Sequence, residues 1–343
     1  GGLIAYGLIL GIIFWLRPDD ALAKALVAIL GSMMLFKASE VVVYWFESQV
    51  LSKYTVWVQN GSLLVFAAVK VGLILNNAPL IAFAWATMAE ALMVALLLAV
   101  MLGLRGPRLH HLRITLERAK RLLKDSWPVL LSGMVLMVQA RIDQIMLGQM
   151  VGDSEVAQYS IALRLVETAA VGSMILQSTF SPSIIEAKRN SEKLYFDRLS
   201  AFYKLNMLVA ILIAVPIALF SYPIIHILFG SEYAPAVPIL ALMTLRLIFA
   251  HVGVPRGIYL LNENLLKYSA LTMAIGTIVN ILLNYLLIPS YGGIGATVAS
   301  LISFSVTIFF IDIVYKKTRQ NARLMLKSSY SFVSLFRRGS WVL

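Results

Sequence analysis

The sequence predicts an all-α polytopic membrane protein. Three observations carry that expectation: the composition, a succession of apolar runs long enough to cross a bilayer, and a strong alternation of positive charge between the loops that join them. Of 343 residues, 60% are hydrophobic and 13% charged. Soluble domains sit near about 45–50% apolar and about 25% charged. Polar sequence is too scarce here to cover a water-exposed surface, whereas lipid solvation requires only runs of roughly 20 apolar residues.

Apolar runs and their breakers define ten candidate spans. The first covers about Gly1–Leu16 and ends at Arg17-Pro18-Asp19-Asp20. The second, about Ala21–Phe46, is the least clean because it contains Lys24, Lys37 and Glu40. Tyr54–Leu75 ends at Asn76-Asn77-Ala78-Pro79, and Leu80–Leu104 follows. A polar stretch, Arg105–Asp125, contains an amphipathic pattern at Ile114–Leu123 suited to the membrane surface. Ser126-Trp127-Pro128 then reads as a helix start, with Ser as N-cap and Pro in the first turn. Six further spans are about Trp127–Val151, Val156–Ile185, Ala201–Phe229, Ala236–Leu261, Leu266–Ile288 and Gly293–Tyr315. The turns between several of them hold Gly, Pro or Ser, as at Gly152-Asp153-Ser154, Gly230-Ser231-Glu232 and Pro289-Ser290-Tyr291-Gly292. The expected organisation is therefore a four-helix N-terminal part (1–104), a basic linker (105–126), a six-helix C-terminal part (127–315) and a basic tail (316–343).

The charges test this division. If the spans alternate in direction, one set of loops holds Lys53, the seven cations between Arg105 and Lys124, Lys188, Arg189, Lys193, Arg198 and Lys267, and the tail lies on the same side. The opposite set holds only Arg17, with Lys24 just inside the next span. By the positive-inside rule the basic side is cytoplasmic, so the C-terminus is expected in the cytoplasm. That distribution accounts for most of the net charge of +12 without nucleic acid as a partner. The chain opens on Gly1-Gly2 and is apolar from Leu3, without a basic leader or a small-residue cleavage site, which predicts that a piece of the natural protein precedes it.

Ionisable groups at membrane depth cost about 2.5–3.5 kcal/mol each on insertion scales, and they mark bundle interiors or watery cavities. Arg141 and Gln144 share one face of their helix, while Gln139 and Asp143 lie nearly opposite. Arg141 is a candidate for lining a cavity, and interhelical hydrogen bonding is the alternative. Arg164 and Glu167, at i, i+3, either neutralise one another or face a cavity. Lys37 and Glu40 have the same spacing and read as a simple pair. Arg246, His251 and Arg256 fall on the span that Pro255 interrupts. Two arginines with no acid on the same span point to an anionic ligand or to an acid on another helix, and Arg246 is the better candidate because Arg256 sits nearer the boundary. Lys70 and Glu90 are isolated on the third and fourth spans and can pair with each other. Asn280 and Asn284 read as glue between helices.

Several chemistries are absent. No Walker A pattern and no HExxH occur, and without cysteine there is no disulfide or thiolate metal site. The outward loops are too short for a catalytic domain. No catalytic residue, metal site or cofactor is expected, which argues against a membrane-embedded glycosyltransferase or ligase and for a non-enzyme.

Three segments in order carry a family resemblance: Trp127-Pro128-Val129-Leu130-Leu131-Ser132-Gly133, Arg141-Ile142-Asp143-Gln144-Ile145-Met146-Leu147-Gly148, and Tyr159-Ser160-Ile161-Ala162-Leu163-Arg164-Leu165-Val166-Glu167. Phe180-Ser181-Pro182, Tyr291-Gly292-Gly293-Ile294-Gly295-Ala296 and, earlier, Tyr44-Trp45-Phe46-Glu47-Ser48-Gln49 fit the same pattern. Together they resemble O-antigen flippases, the polysaccharide transporters of the multidrug/oligosaccharidyl-lipid/polysaccharide exporter superfamily. The resemblance implies a two-lobed bundle of six plus six helices around a central cavity, with lobe one here lacking its first two helices. It implies movement of an undecaprenyl-diphosphate-linked, O-antigen-type oligosaccharide of lipopolysaccharide biosynthesis across the bacterial inner membrane by alternating access. The partners it implies are that lipid-linked oligosaccharide, membrane lipids and other polysaccharide-assembly proteins. For such a substrate Arg141, Arg164, Arg246 and Lys70 are the candidate cavity residues, and Asp143 and Glu167 the candidates for a coupling ion, proton or sodium. A cationic-drug exporter of the same superfamily would call for an acidic cavity. A flippase for a peptidoglycan lipid precursor is the nearer alternative.

Overall fold

The computed structural model describes residues 2–49, 51–106, 117, 120 and 137–331. Its described residues are overwhelmingly helical, and seven helical stretches among them are long and apolar enough to cross a membrane. The chain divides into two compact units, Gly1–Arg121 and Leu122–Leu343. The Ser126-Trp127-Pro128 helix start lies outside the described residues, as does the amphipathic Ile114–Leu123 pattern apart from Glu117 and Lys120.

The first unit contains α1 (Gly2–Leu16), α2 (Ala21–Gly31), α3 (Met33–Phe36), α4 (Glu40–Ser48), α5 (Lys53–Leu75) and α6 (Leu80–Arg105). α1 is apolar all round and buries no residue, as a lipid-facing helix does. Its Tyr6 hydroxyl donates to the Ala28 carbonyl of α2 at 3.1 Å, satisfying a polar tip among apolar neighbours. The expected acidic turn has a definite job, since the Asp20 carboxylate caps α2 by accepting the Ala23 N–H at 2.8 Å. The span that looked least clean is one bent path. α2, α3 and α4 follow each other through Ser32 and a 3-10 turn at Lys37–Ser39, where Lys37 pairs with Glu40 at 2.6 Å. Phe46, Val58, Ala84, Ala86 and Leu98 are its buried apolar residues, while Trp57, Leu64 and Leu75 face outward.

The second unit begins, for the described residues, with α7 (137–150). Then come α8 (Asp153–Ala169), α9 (Val171–Asn190), α10 (Glu192–Leu219), α11 (Ser221–Phe229), α12 (Ala236–Met243), α13 (Leu245–Asn262), α14 (Leu266–Ser305), a π-helical turn at Val306–Phe310, α15 (Ile311–Val314) and α16 (Arg319–Tyr330). Two apolar cores organise it. One gathers α7, α8, α12 and α14 around Leu147, Tyr159, Leu163, Leu240 and Ile288, and the other gathers α9, α10, α13 and α16 around Ile184, Tyr195, Phe202, Tyr259 and Met325.

Three expected spans prove to be jointed. Asp153–Asn190 breaks at Ala170 and Ala236–Asn262 at Thr244. The run expected as Ala201–Phe229 splits at Phe220 into α10 and α11. Pro223 has no N–H for the Leu219 carbonyl four residues back, so the helical ladder fails there. Conversely, Pro182, Pro216 and Pro255 lie inside continuous helices.

The last two spans appear as α14, which is two helices meeting at Gly292 (φ 50, ψ −132). Only glycine adopts that conformation without strain. The turn is fastened from α8, where the Glu155 carboxylate accepts the Gly293 N–H at 2.7 Å. A Cβ on Gly292 would fall 2.5 Å from the same carboxylate. Gly292→Ala is therefore expected to destabilise the protein by about 1–3 kcal/mol through backbone strain and to weaken this latch. Thermal unfolding in detergent measures it, and an unchanged midpoint would contradict the strain.

Candidate functional site

The second unit buries a carboxylate in the middle of α7, that of Asp143, which is 6% exposed. It is reached by three donors from two other helices. The Tyr159 hydroxyl (α8) donates to Oδ2 at 2.7 Å, the Ser300 hydroxyl (α14 after Gly292) to Oδ2 at 2.5 Å, and Asn284 Nδ2 (α14 before Gly292) to Oδ1 at 2.7 Å. Asn284 Nδ2 also donates to Asn280 Oδ1 at 3.2 Å, and Asn280 Nδ2 to Ser300 at 3.4 Å. Helical spacing of i, i+4 brings the two asparagines onto one face. No cation pairs with Asp143 among the described residues; three neutral donors hold the carboxylate. The buried Asn284 Oδ1 has no partner among them either. A carboxylate held by three neutral donors, with an uncommitted amide oxygen beside it, makes a buried polar cluster in an otherwise apolar core.

The arginines occupy different settings. Arg141, on the other face of α7, lies 3.7 Å from Glu167 of α8 and donates to Gln144 at 3.3 Å, with both partners of the ion pair substantially exposed. Gln144 in turn donates to Ser160 at 2.7 Å. Glu167 is thus paired with Arg141 rather than with Arg164. The Arg164 side chain is exposed and has no ion-pair partner among the described residues. Arg246, on α13, stands over the Phe304 ring at 5.1 Å. It has no carboxylate within ion-pair reach among the described residues. It shares with Glu167, Phe249, Gly253, Phe304 and Ile308 the lining of a cavity of about 380 Å³. Arg246 and Glu167 therefore meet at one cavity, and Arg141 reaches it through Glu167.

Several other intramembrane charges are paired within their own unit. Arg256 clamps Asp312 in a bidentate pair, Nε to Oδ2 at 2.8 Å and Nη2 to Oδ1 at 2.9 Å, with side chains 7% and 0% exposed. Asp312 is the acid on another helix that the lone arginines of α13 called for. His251 is wholly buried and its Nδ1 meets the Leu247 carbonyl of its own helix at 2.9 Å, a core arrangement. In the first unit Lys70 pairs with Glu90 at 2.7 Å, and both line a separate cavity of about 460 Å³ together with Lys37 and Glu40.

Comparison with known proteins places this architecture. Residues 18–238, well over half of the chain, match the polysaccharide biosynthesis protein family. The chain belongs to that family. A relative from Haloferax volcanii, the probable low-salt glycan biosynthesis flippase Agl15, is 30% identical over 168 residues, which is 48% of this chain and 35% of that protein. The match thus spans about a third of the relative's length. Among solved structures, an inward-facing multidrug resistance MATE family transporter of the MOP superfamily superposes with a TM-score of 0.76 at 14% identity, covering 95% of this chain and 79% of that one. The lipid II flippase MurJ in an inward closed conformation gives 0.72 at 14% identity, covering 98% and 80%. At that identity the likeness is one of fold: this polysaccharide biosynthesis protein is a multi-pass helical membrane protein built like those transporters.

Within this polysaccharide biosynthesis protein, sequence reading singled out Asp143, Arg141, Arg246 and Glu167 as candidates but missed the partners that define their settings. Tyr159 and Ser300 carry no sequence signal beyond being polar in an apolar span. The Asn280–Asn284 pair did carry one, its spacing, and it does join helices as expected. It does so through Asp143. Asp312, the lone acid of the last span, is the residue that the unpaired Arg256 implied.

Proposed function

We propose that this polysaccharide biosynthesis protein is a flippase that moves an undecaprenyl-diphosphate-linked oligosaccharide of O-antigen type across the bacterial inner membrane by alternating access. The observation that carries the reading is Arg246: a guanidinium in a cavity, held over an aromatic ring, with no carboxylate within ion-pair reach among the described residues. Such a group is an anion receptor in a low-dielectric setting, and arginine suits phosphate through its planar fork. Exposed Arg164 and Glu167-tethered Arg141 add positive potential on the adjoining helices. The family's part in polysaccharide biosynthesis, and the likeness to the probable flippase Agl15 and the lipid II flippase MurJ, support the same class. Loop charge supports an orientation with the C-terminus in the cytoplasm. Asp143 is the proposed coupling-ion position, for a proton or sodium, and Glu167 the second candidate.

The test is complementation of a strain lacking its O-antigen flippase by the full-length gene. Arg246→Ala is expected to lower transport about tenfold or more, the size of one charge-assisted hydrogen bond, with membrane expression unchanged. Full activity of that variant at normal expression would remove Arg246 from the site.

A further inference from the structure

The end of the last span carries a second polar feature, apart from the residues proposed for transport. The chain leaves α15 through Tyr315-Lys316-Lys317-Thr318 and turns directly into α16. One face of α16 is buried: Ala322 and Met325 enter the core, Asn321 accepts from the Tyr203 hydroxyl at 3.2 Å, and Ser328 meets Ser200 at 2.9 Å. The opposite face presents Arg319, Arg323 and Lys327 one turn apart, all exposed, on a helix with no acidic residue.

Arg319 is held in place. Its Nε donates to the Ile313 carbonyl at 3.0 Å and its Nη2 to the Val314 carbonyl at 3.2 Å, using the last free carbonyls of the span. Nη1 is left uncommitted among the described residues. Arg319 and Arg323 then line an open cleft of about 460 Å³ together with Ile313, Val314 and Leu326. Val314 is 75% exposed. Across it lies a second cleft, again half cationic and half apolar, lined by Lys267, Lys316, Leu271 and Ile311. The nearest acid of the span, Asp312, is spent on Arg256. Glu192 and Glu263 border a different cleft, with Lys317.

We propose that the Arg319–Arg323 cleft is a binding site for an anionic phospholipid. The two guanidinium groups take the headgroup phosphate, and Ile313, Val314 and Leu326 take the start of an acyl chain. A soluble anion would leave the apolar half of the cleft in water, and a neutral lipid would leave the cations without a net negative partner. A basic face on an amphipathic helix at the end of a transmembrane span matches the physics of anionic-leaflet recognition.

The experiment uses the full chain purified in detergent and titrated with phosphatidylglycerol or phosphatidylcholine, with bound lipid counted by native mass spectrometry. Phosphatidylglycerol is expected to bind and phosphatidylcholine to bind at least tenfold more weakly. Arg319→Gln/Arg323→Gln should weaken phosphatidylglycerol binding about thirtyfold, the loss expected for two cations at a lipid headgroup. The charge-matched pair Arg189→Gln/Lys193→Gln, on exposed positions at the end of α9 and the start of α10, should change it less than twofold. Inorganic phosphate at the same concentration should not displace the lipid. Arg323→Gln alone keeps the Arg319 bonds to the span and should lose about fivefold, so it decides the matter if the double variant does not fold. Equal losses in the two charge-matched pairs, no loss in either α16 variant, equal binding of phosphatidylcholine, or displacement by phosphate would overturn the site.

Discussion

Asp312→Ala is expected to destabilise the second unit by about 3 kcal/mol or more, the cost of leaving a buried charge without its partner. Asp312 is fully buried and Arg256 nearly so. Around the pair, the Tyr268 hydroxyl donates to Asp312 Oδ1 at 2.8 Å and the Thr318 hydroxyl to the Asp312 carbonyl at 2.9 Å. Arg256 Nη2 reaches Thr272 at 3.4 Å. The pair thus joins α13, both ends of the α14–α15 stretch and the turn into α16. Truncation strands the guanidinium and removes the acceptor for Tyr268 together. Thermal unfolding in detergent should show a large fall in midpoint for Asp312→Ala and a smaller one for Asp312→Asn, which keeps an acceptor. Arg256→Met/Asp312→Leu should recover most of the loss, because a well-filled apolar pair replaces an ion pair at little net cost. An unchanged midpoint in Asp312→Ala would mean that water or lipid headgroups already solvate Arg256.

The contrast between these arginines shows where sequence reasoning ends. Length and hydropathy located the spans, because lipid imposes one rule along the whole chain and apolar runs satisfy it visibly. The joints at Ala170 and Thr244 escaped it, since they interrupt backbone geometry without interrupting apolar sequence. The π-helical turn at Val306–Phe310 escaped for the same reason. It accompanies a close approach of Gly276 to Thr307, where any Cβ would meet the threonine hydroxyl. Charged residues were legible as exceptions to the hydropathy, so Arg246, Arg256, Arg141, Asp143 and Lys70 all stood out. Their pairings were legible only in part, within one helix or between adjacent spans. Lys37–Glu40 formed as its spacing suggested, but Arg164–Glu167 did not, because Arg141 on the neighbouring helix reaches Glu167. Lys70–Glu90 needed only two adjacent spans and was anticipated. Asp143 draws donors from positions up to 157 residues away, and no local rule connects those.

Asp143→Asn is the substitution expected to have the largest effect on transport with little effect on folding. The present cluster supplies the reason for both halves. Oδ2 of Asp143 accepts from Tyr159 and Ser300, and an amide oxygen at that place accepts the same two bonds. The other carboxylate oxygen faces Asn284 Nδ2, where a new amide nitrogen would oppose a donor. Asn284 can turn its side-chain amide over and present Oδ1, which has no partner among the described residues, at the loss of the 3.2 Å bond that its Nδ2 gives Asn280 Oδ1. The bonds at the Asp143 position then survive while its negative charge is lost. If that charge receives a coupling ion, transport should fall at least tenfold while the thermal midpoint moves little, and the residual rate should no longer respond to a proton or sodium gradient. Asp143→Leu separates the alternatives. It removes every acceptor and should lose stability by about 1–3 kcal/mol for the buried donors left behind. A purely structural Asp143 predicts the reverse ordering, with normal gradient-driven transport in Asp143→Asn and loss only in Asp143→Leu through poor folding. Gradient-dependent flux measured in proteoliposomes for the two variants distinguishes a carboxylate that binds an ion from one that only ties α7 to α8 and α14.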